Sequence, residues 1–392
     1  MKRGSQETKG TSDKQERGSN GSPVSRTWSR MAGVTMLLVW ALAWSACDED
    51  RRQSGDASVG RDVVGGGDGT AGWDAAAGTD ARAMDGSSPK DAQTSADGQA
   101  QQDGALPGTD TCSGNSYTPS QPGTGQGTAP GDASTEQVTA MQYMNSFRNL
   151  MGLNPIDLNS ALDQACVAHS EYCSQDSSWC PGWHQEEEGH PGFTGVNFWD
   201  RDRAAGYQGQ PAMEVMAPGG TPQYAIDMWM ESVYHRSPFV DPAIHEAGYG
   251  SGASFTTMDF GCCGPYDHNL VTNYPVDGQT GVPRSWSGNE GPQPPTPPTG
   301  WPSGPVISVV FPPDANVTIT AHEIYDDACN PVAHVAGGQG IQPNPGFDER
   351  FLGSAVALYP NDPLAGGKTY VVNVEYTMNG SPGHRTFRFT TE

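Results

Sequence analysis

Basic residues are scarce: 21 Lys and Arg stand against 45 Asp and Glu, giving a net charge of −24 over 392 residues. A surface of that sign repels phosphate backbones, which argues against a nucleic-acid partner. Apolar residues are also few. At 35% hydrophobic, with 51 Gly and 32 Pro, the chain cannot be core throughout, so its folded part must be smaller than the length alone predicts. The apolar run from Met31 to Trp44 is 14 residues long, short of the ~20 that a spanning helix needs. Nothing resembles a nucleophile elbow or an oxyanion loop, so Ser232, one helical turn before His235, is not read as a hydrolase nucleophile.

What is present begins with an export signal. Arg26 and Arg30 precede the run from Met31 to Trp44, and Ser45-Ala46-Cys47 follows it, the layout of a signal peptide over residues 1–46. Small residues before a cysteine resemble a bacterial lipobox, although Trp44 stands where an aliphatic is usual. The expectation is a lipidated Cys47 and attachment to the cell envelope, at the surface or outer membrane, with the lipid anchor as the only membrane contact. Ordinary cleavage and secretion is the alternative. Residues 47–133, rich in Gly, Ala, Asp and Ser, read as a disordered tether with a reach of roughly 50 Å. Seven cysteines follow Cys47. Export predicts disulfides, the odd count leaves one thiol free, and Cys112, inside the tether, is the candidate for it.

Ordered sequence opens at Ser134-Thr135-Glu136-Gln137, a capping box, with Val138, Met141, Met144 and Phe147 at helical spacing and Gly152 as the stop. Further helices are predicted over residues 160–174 and 222–234, with a turn at 200–205. Extended pieces follow at 249–252, 254–260 and 269–274. Helices interleaved with late strands suggest an α+β or an α-β-α layered domain over residues 134–290. A Pro-rich linker at 291–304 leads to β-rich sequence over 305–392, where Tyr370, Val372, Val374 and Tyr376 share one strand face. That part reads as a small β-sandwich.

The order of several motifs then carries a resemblance. Asn145-Ser-Phe-Arg-Asn-Leu-Met-Gly, Leu162 to His169, Asp202 to Tyr207, Trp229-Met-Glu-Ser-Val-Tyr-His-Arg236 and Gly248-Tyr-Gly250 resemble the bacterial branch of the CAP superfamily (SCP-like; cysteine-rich secretory, antigen 5 and pathogenesis-related 1 proteins). The resemblance covers about residues 134–275 and implies an α+β fold, an α-β-α sandwich. It implies a site of two histidines and two acids, placed on His184, Glu214 and His235, with Glu231 or Glu186 as the second acid. Val215 stands where the usual Gly-Glu-Asn motif has Asn. The C-terminal part resembles a bacterial Ig-like domain.

Two imidazoles and a carboxylate suit a divalent metal such as zinc on His184 and His235, although no cofactor is required for binding. A bland reading has His235 capping its helix end. Cys166-x2-His169-x3-Cys173-x6-Cys180 imitates zinc-ligand spacing, but export favours disulfides, for example Cys173 or Cys180 to Cys262 or Cys263. Ser381-Pro-Gly-His-Arg385 repeats a motif typical of the family but falls between two strands, so it is a hairpin. The expected function is ligand binding in a His/Glu cleft, the ligand being a lipid, a peptide or cell-wall material. The alternatives are a metal-assisted hydrolase and a non-catalytic adhesion scaffold.

Overall fold

The computed structural model describes residues 108–342 and 345–392. The signal segment, Cys47 and the tether up to residue 107 lie outside the described residues. Helix α1 (Thr135–Met151) opens through the expected box: Gln137 N–H donates to Ser134 Oγ, and the Gln137 side chain accepts from Ser134 N–H. These bonds satisfy donors that every helix start leaves bare. Gly152 ends α1 at φ 75°, a conformation that glycine adopts without Cβ strain.

The elements that follow are β1 (Asp157–Leu158), α2 (Ser160–Gln175), α3 (Phe198–Ala204), β2 (Gln210–Pro218), α4 (Pro222–Glu231), the single turn α5 (Ser237–Val240), β3 (Ile244–Ser251) and β4 (Phe255–Cys262). Their strands form one sheet in the order β1-β3-β4-β2, antiparallel except where β1 runs with β3. One face is apolar: Ala140 and Met144 of α1 and Ile226 and Trp229 of α4 bury Val215, Ala217, Ala247, Tyr249, Met258 and Phe260. Helices α2 and α3 cover the other, completing the α-β-α layers.

Helix α2 lies unusually close to β3, and the sequence shows why. A Cβ on Gly248 would meet the Leu162 carbonyl carbon at 2.1 Å, and one on Gly250 would meet the Val167 nitrogen at 2.1 Å. With successive strand residues pointing to opposite faces, these glycines leave the α2 side bare while Tyr249 between them fills the other core. Strand β2 was not foreseen. It is buried from Pro211 to Ala217, so it lacks the polar alternation that marks a half-buried strand. Helix α4 ends at Glu231, short of the expected 234, because Ser232 turns extended and its hydroxyl bonds the Trp229 carbonyl.

Beyond β4 come β5 (Thr272–Tyr274), β6 (Gln279–Val282), β7 (Ile307–Val310), β8 (Val317–Tyr325), β9 (His334–Gly338), the turn α6 (Glu349–Leu352), β10 (Ala355–Pro360), β11 (Thr369–Met378) and β12 (Ser381–Thr391). They build two four-stranded sheets, β5-β7-β10-β9 and β6-β12-β11-β8, which close on Val309, Phe311, Val356, Leu358, Val372, Val374, Phe387 and Phe389. The class is therefore α+β, with an α-β-α layer sandwich followed by small, mainly antiparallel sheets. The repeated motif at Ser381 lies in β12, where His384 pairs with Glu375 across the hairpin.

Two boundaries differ from the composition reading. β5 and β6, which precede the Pro-rich stretch, belong to the C-terminal sheets, and residues 291–304 are packed on them: the Trp286 and Trp301 rings meet edge-on at 5.1 Å and both contact Tyr359. Residues 108–133 form a strap rather than a free tether. Thr118 N–H donates to the Thr386 carbonyl, Gly123 N–H to Asn149 and Leu158 N–H to Thr128, while Asn145 and Asn149 side chains donate to the Gln126 and Gly125 carbonyls. A segment poor in apolar residues is thus held by its backbone groups, which composition does not register. Among the described residues no helix is long and apolar enough to cross a membrane.

The disulfides also differ from expectation. Cys112 pairs with Cys329, Cys173 with Cys180, and Cys262 with its neighbour Cys263. No bridge joins Cys173 or Cys180 to Cys262 or Cys263, because Cys262 packs with the α1/α4 core and Cys173 and Cys180 sit in a separate cluster with Tyr172, Met216 and Phe255. The free thiol is Cys166, buried on α2, rather than Cys112.

Candidate functional site

The site is built on the α2/α3 side of the sheet. Along β2, Val215 and Ala217 enter the α1/α4 core, so Glu214 points the other way, toward α2 and α3. Val215, at the position of the missing Asn, is therefore core and not part of the site. Helix α3 contributes Arg201, whose guanidinium bonds Glu214 and reaches the carbonyls of His184 and Val196 at 3.3 Å. The segment between α2 and α3 makes two short 3-10 turns, Ser177–Trp179 and Pro181–Trp183, and delivers His184 and Glu186. Trp183 ends the second turn at φ 68°, a left-handed conformation uncommon outside glycine.

Each side chain has a defined partner. His184 Nδ1 lies 2.9 Å from Glu214 Oε1; donating there leaves Nε2 as the open nitrogen, on a side chain 38% exposed beside a carboxylate 1% exposed. Glu186 accepts from Thr194 N–H at 2.7 Å and from His169 Nδ1 at 2.9 Å. His169 Nε2 donates to the Trp183 carbonyl at 2.9 Å and stands 3.9 Å from Glu214 Oε2. Behind them lie Asp202 of α3 and Asp259 of β4, both fully buried.

Burial alone would raise the Glu214 carboxyl, but Arg201, His169 and His184 outweigh it and hold the group well below the usual carboxylate range. The two aspartates behave oppositely. Burial and the neighbouring Glu214 charge push Asp202 up to about 7 despite the bond from Asp259 and the Arg201 charge, and burial with the Asp202 and Glu214 charges pushes Asp259 well above 3.8. Two adjacent buried carboxyls cannot both ionise, so at least one of the two keeps its proton.

This sets a pH dependence. Burial also raises Asp163 to about 7 and Asp241 to about 6. A carboxyl raised in the fold stabilises it fully below its unfolded value, and that contribution is lost as pH rises through the folded value. Glu214, lowered in the fold, has the reverse sign and loses its contribution only in acid. Calorimetry should therefore find a melting temperature at pH 8 that is lower than at pH 5.5 by about 3 °C or more, with a smaller difference in Asp202→Asn. A flat or rising profile would show that these carboxyls are not held protonated in the fold.

Of the residues the sequence singled out, His184, Glu214 and Glu186 are in one network. His235 is elsewhere engaged: its Nδ1 is 2.8 Å from Glu290 Oε1, and that carboxylate also accepts from the N–H groups of Val233, Tyr234 and His235. His235 thus shares no hydrogen bond or ion pair with His184, Glu214 or Glu186. Glu231 is exposed at the end of α4, so Glu186 is the second acid of the network. Arg201, Asp202, Asp259 and His169 were missed as site residues. The signal was available: Phe198, Arg201 and Asp202 fall on one helix face, so charge occupies the positions an apolar stripe would take.

Residues 141–263 match the model of the Cysteine-rich secretory protein family, CAP, so the chain carries a CAP domain over that span. A solved extracellular protein containing an SCP domain from Bacillus anthracis str. Ames is similar at 18% identity, with a TM-score of 0.29, over 32% of this chain and 40% of that one. The chain thus matches less than half the length of that protein. Among curated proteins nothing matches.

Proposed function

We propose that this is an exported cell-envelope protein whose CAP domain binds a ligand at His184, the C-terminal Ig-like sandwich setting the position of that domain. The observation that carries the reading is the His184 side chain itself. Its Nδ1 is fixed by Glu214 and Glu214 by Arg201, so the half-exposed Nε2 is presented in one orientation as a hydrogen-bond or proton acceptor. Three disulfides support export, since such bonds persist in oxidising compartments, and lipid attachment at Cys47 fits the same location. Metal-assisted hydrolysis is the second reading, since His184 and His235 each have Nδ1 held by a carboxylate, the contact that leaves Nε2 to ligate a metal. The ligand class is lipid, peptide or cell-wall component.

His184→Ala tests it. Co-sedimentation of the protein with insoluble cell-wall sacculi and with phosphatidylcholine vesicles should show retention on one of them, weakened about tenfold in the variant, a loss of ~1.4 kcal/mol. Because His184 is half exposed but bonds the buried Glu214 carboxylate, the variant should lose about 1–2 kcal/mol and remain folded. Retention on neither, or equal retention of both proteins, would remove His184 from the binding reading.

A further inference from the structure

We infer that His169, Cys173 and Cys180 form a binding site for a soft d10 cation of the zinc(II) class, masked by the Cys173–Cys180 disulfide and opened when that bond is reduced. The site lies behind the His184 face and shares Glu186 and the Trp183 carbonyl with its network, but its test does not depend on the ligand of that face. One donor atom from each of the three residues lies within 4.8 Å of the other two, and all three residues are buried. His169 Nε2 is 3.7 Å from Cys173 Sγ and 3.9 Å from Glu214 Oε2.

Those spacings can be compared with a tetrahedral zinc ion. With Zn–S of ~2.3 Å and Zn–N of ~2.0 Å, neighbouring donors stand about 3.3–3.8 Å apart. The sulfur is within that range of Nε2 at 3.7 Å but is also 3.8 Å from Nδ1, so the ring must turn from the Trp183 carbonyl as the disulfide opens. Glu214, at 3.9 Å against about 3.3 Å for two nitrogen or oxygen donors, is too distant to be the fourth ligand. The outer arrangement matches as well. His169 Nδ1 is 2.9 Å from Glu186 Oε1, the carboxylate–histidine contact that fixes a metal-bound imidazole and leaves Nε2 to ligate. Cys166, on the same helix, is not a donor: its sulfur accepts from Asp259 N–H. The structure thus selects three of the four residues whose spacing resembles a zinc motif.

In the disulfide neither sulfur is a thiolate. Reduction by two equivalents of a monothiol breaks the S–S bond. The reductant supplies two electrons and two protons and leaves as its own disulfide, while Cys173 and Cys180 become thiols. Zinc then displaces the two thiol protons and the Nε2 proton now donated to the Trp183 carbonyl. The segment between the cysteines has only 3-10 turns, so the sulfurs can separate without breaking an α-helix.

The test uses the full chain, reduced, freed of reductant and titrated anaerobically with cobalt(II), then zinc(II). One cobalt per chain should bind with tetrahedral ligand-field and thiolate charge-transfer absorption, be displaced by zinc, and be lost when Cys173→Ser and Cys180→Ser are combined. Glu186→Gln should weaken zinc binding by about 10–100-fold. A readout free of variants is thiol labelling mapped by peptide: zinc should slow alkylation of Cys173 and Cys180 about tenfold or more, with Cys112, Cys329, Cys262 and Cys263 unaffected. Absence of the cobalt signature, protection at the other cysteines instead, or equal binding by the oxidised protein would each overturn the inference.

Discussion

Replacing Arg201 with methionine should cost about 3–5 kcal/mol, the range for removing one partner of a buried ion pair. The guanidinium is fully buried and sits among Glu214, to which it bonds, and Glu186 at 3.9 Å. Without it two carboxylates remain in a dry layer that already holds the Asp202–Asp259 pair. Burial opposes the Arg201 charge, but Glu214, Asp259 and Glu186 raise its pKa above the ordinary arginine value, so the cation is an integral part of the fold. Urea unfolding should register the loss as a shifted midpoint at unchanged slope. Adding Glu214→Gln to Arg201→Met should recover part of it, since the double change no longer strands that charge. Lysine should rescue poorly, because one ammonium cannot reach Glu214 and the His184 and Val196 carbonyls together. A cost below about 1 kcal/mol would show that the carboxylates had found other partners or become neutral.

Gly250→Ala is the second large effect. The added Cβ would meet the Val167 nitrogen at 2.1 Å and the Cys166 carbonyl carbon at 2.3 Å, atoms of the α2 backbone that no rotamer change can move. The helix must lift from the sheet, at about 3 kcal/mol or more. Helix α2 carries His169, so the shift should also disturb the Trp183 carbonyl contact and with it His184. Gly131→Ala, where nothing lies within 4 Å of the new carbon, is the matched control and should be within about 0.5 kcal/mol of the wild type. Equal melting temperatures for the two variants would mean that the α2–β3 contact is looser than the structure has it.

The parts of this fold that announce themselves in sequence are those governed by local rules. The capping box at Ser134, the stop at Gly152 and the strand face from Tyr370 to Tyr376 depend on neighbours within a few positions. Strand β2 is silent because both its faces are covered, and the strap over residues 108–133 is silent because its anchors are backbone groups. The site divides the same way. The resemblance to the CAP family points to His184 and Glu214, but which acid joins them depends on the path of the loop from Cys180 to Asn197. The pairing of His235 with Glu290 joins positions 55 residues apart, which nothing near His235 in the sequence reveals. Arg201 and Asp259 look like surface charges until the sheet and α3 enclose them.

The Cys112–Cys329 bridge has a mechanical consequence. Cys329 lies in the loop between β8 and β9 of the C-terminal sandwich, 217 residues along the chain from Cys112. Tension applied to the chain from its N-terminal side enters the sandwich at that sulfur pair before it can reach α1. Residues 113–133 therefore carry none of a pull between the N-terminal side and the C-terminal sheets while the bond is intact. Once it is reduced, the same pull runs along the strap and peels its hydrogen bonds from Thr386, Asn149 and Leu158 one after another. The disulfide thus acts as a strain relief, passing a pull from the N-terminal side to the C-terminal sheets without loading the hydrogen bonds of residues 113–133.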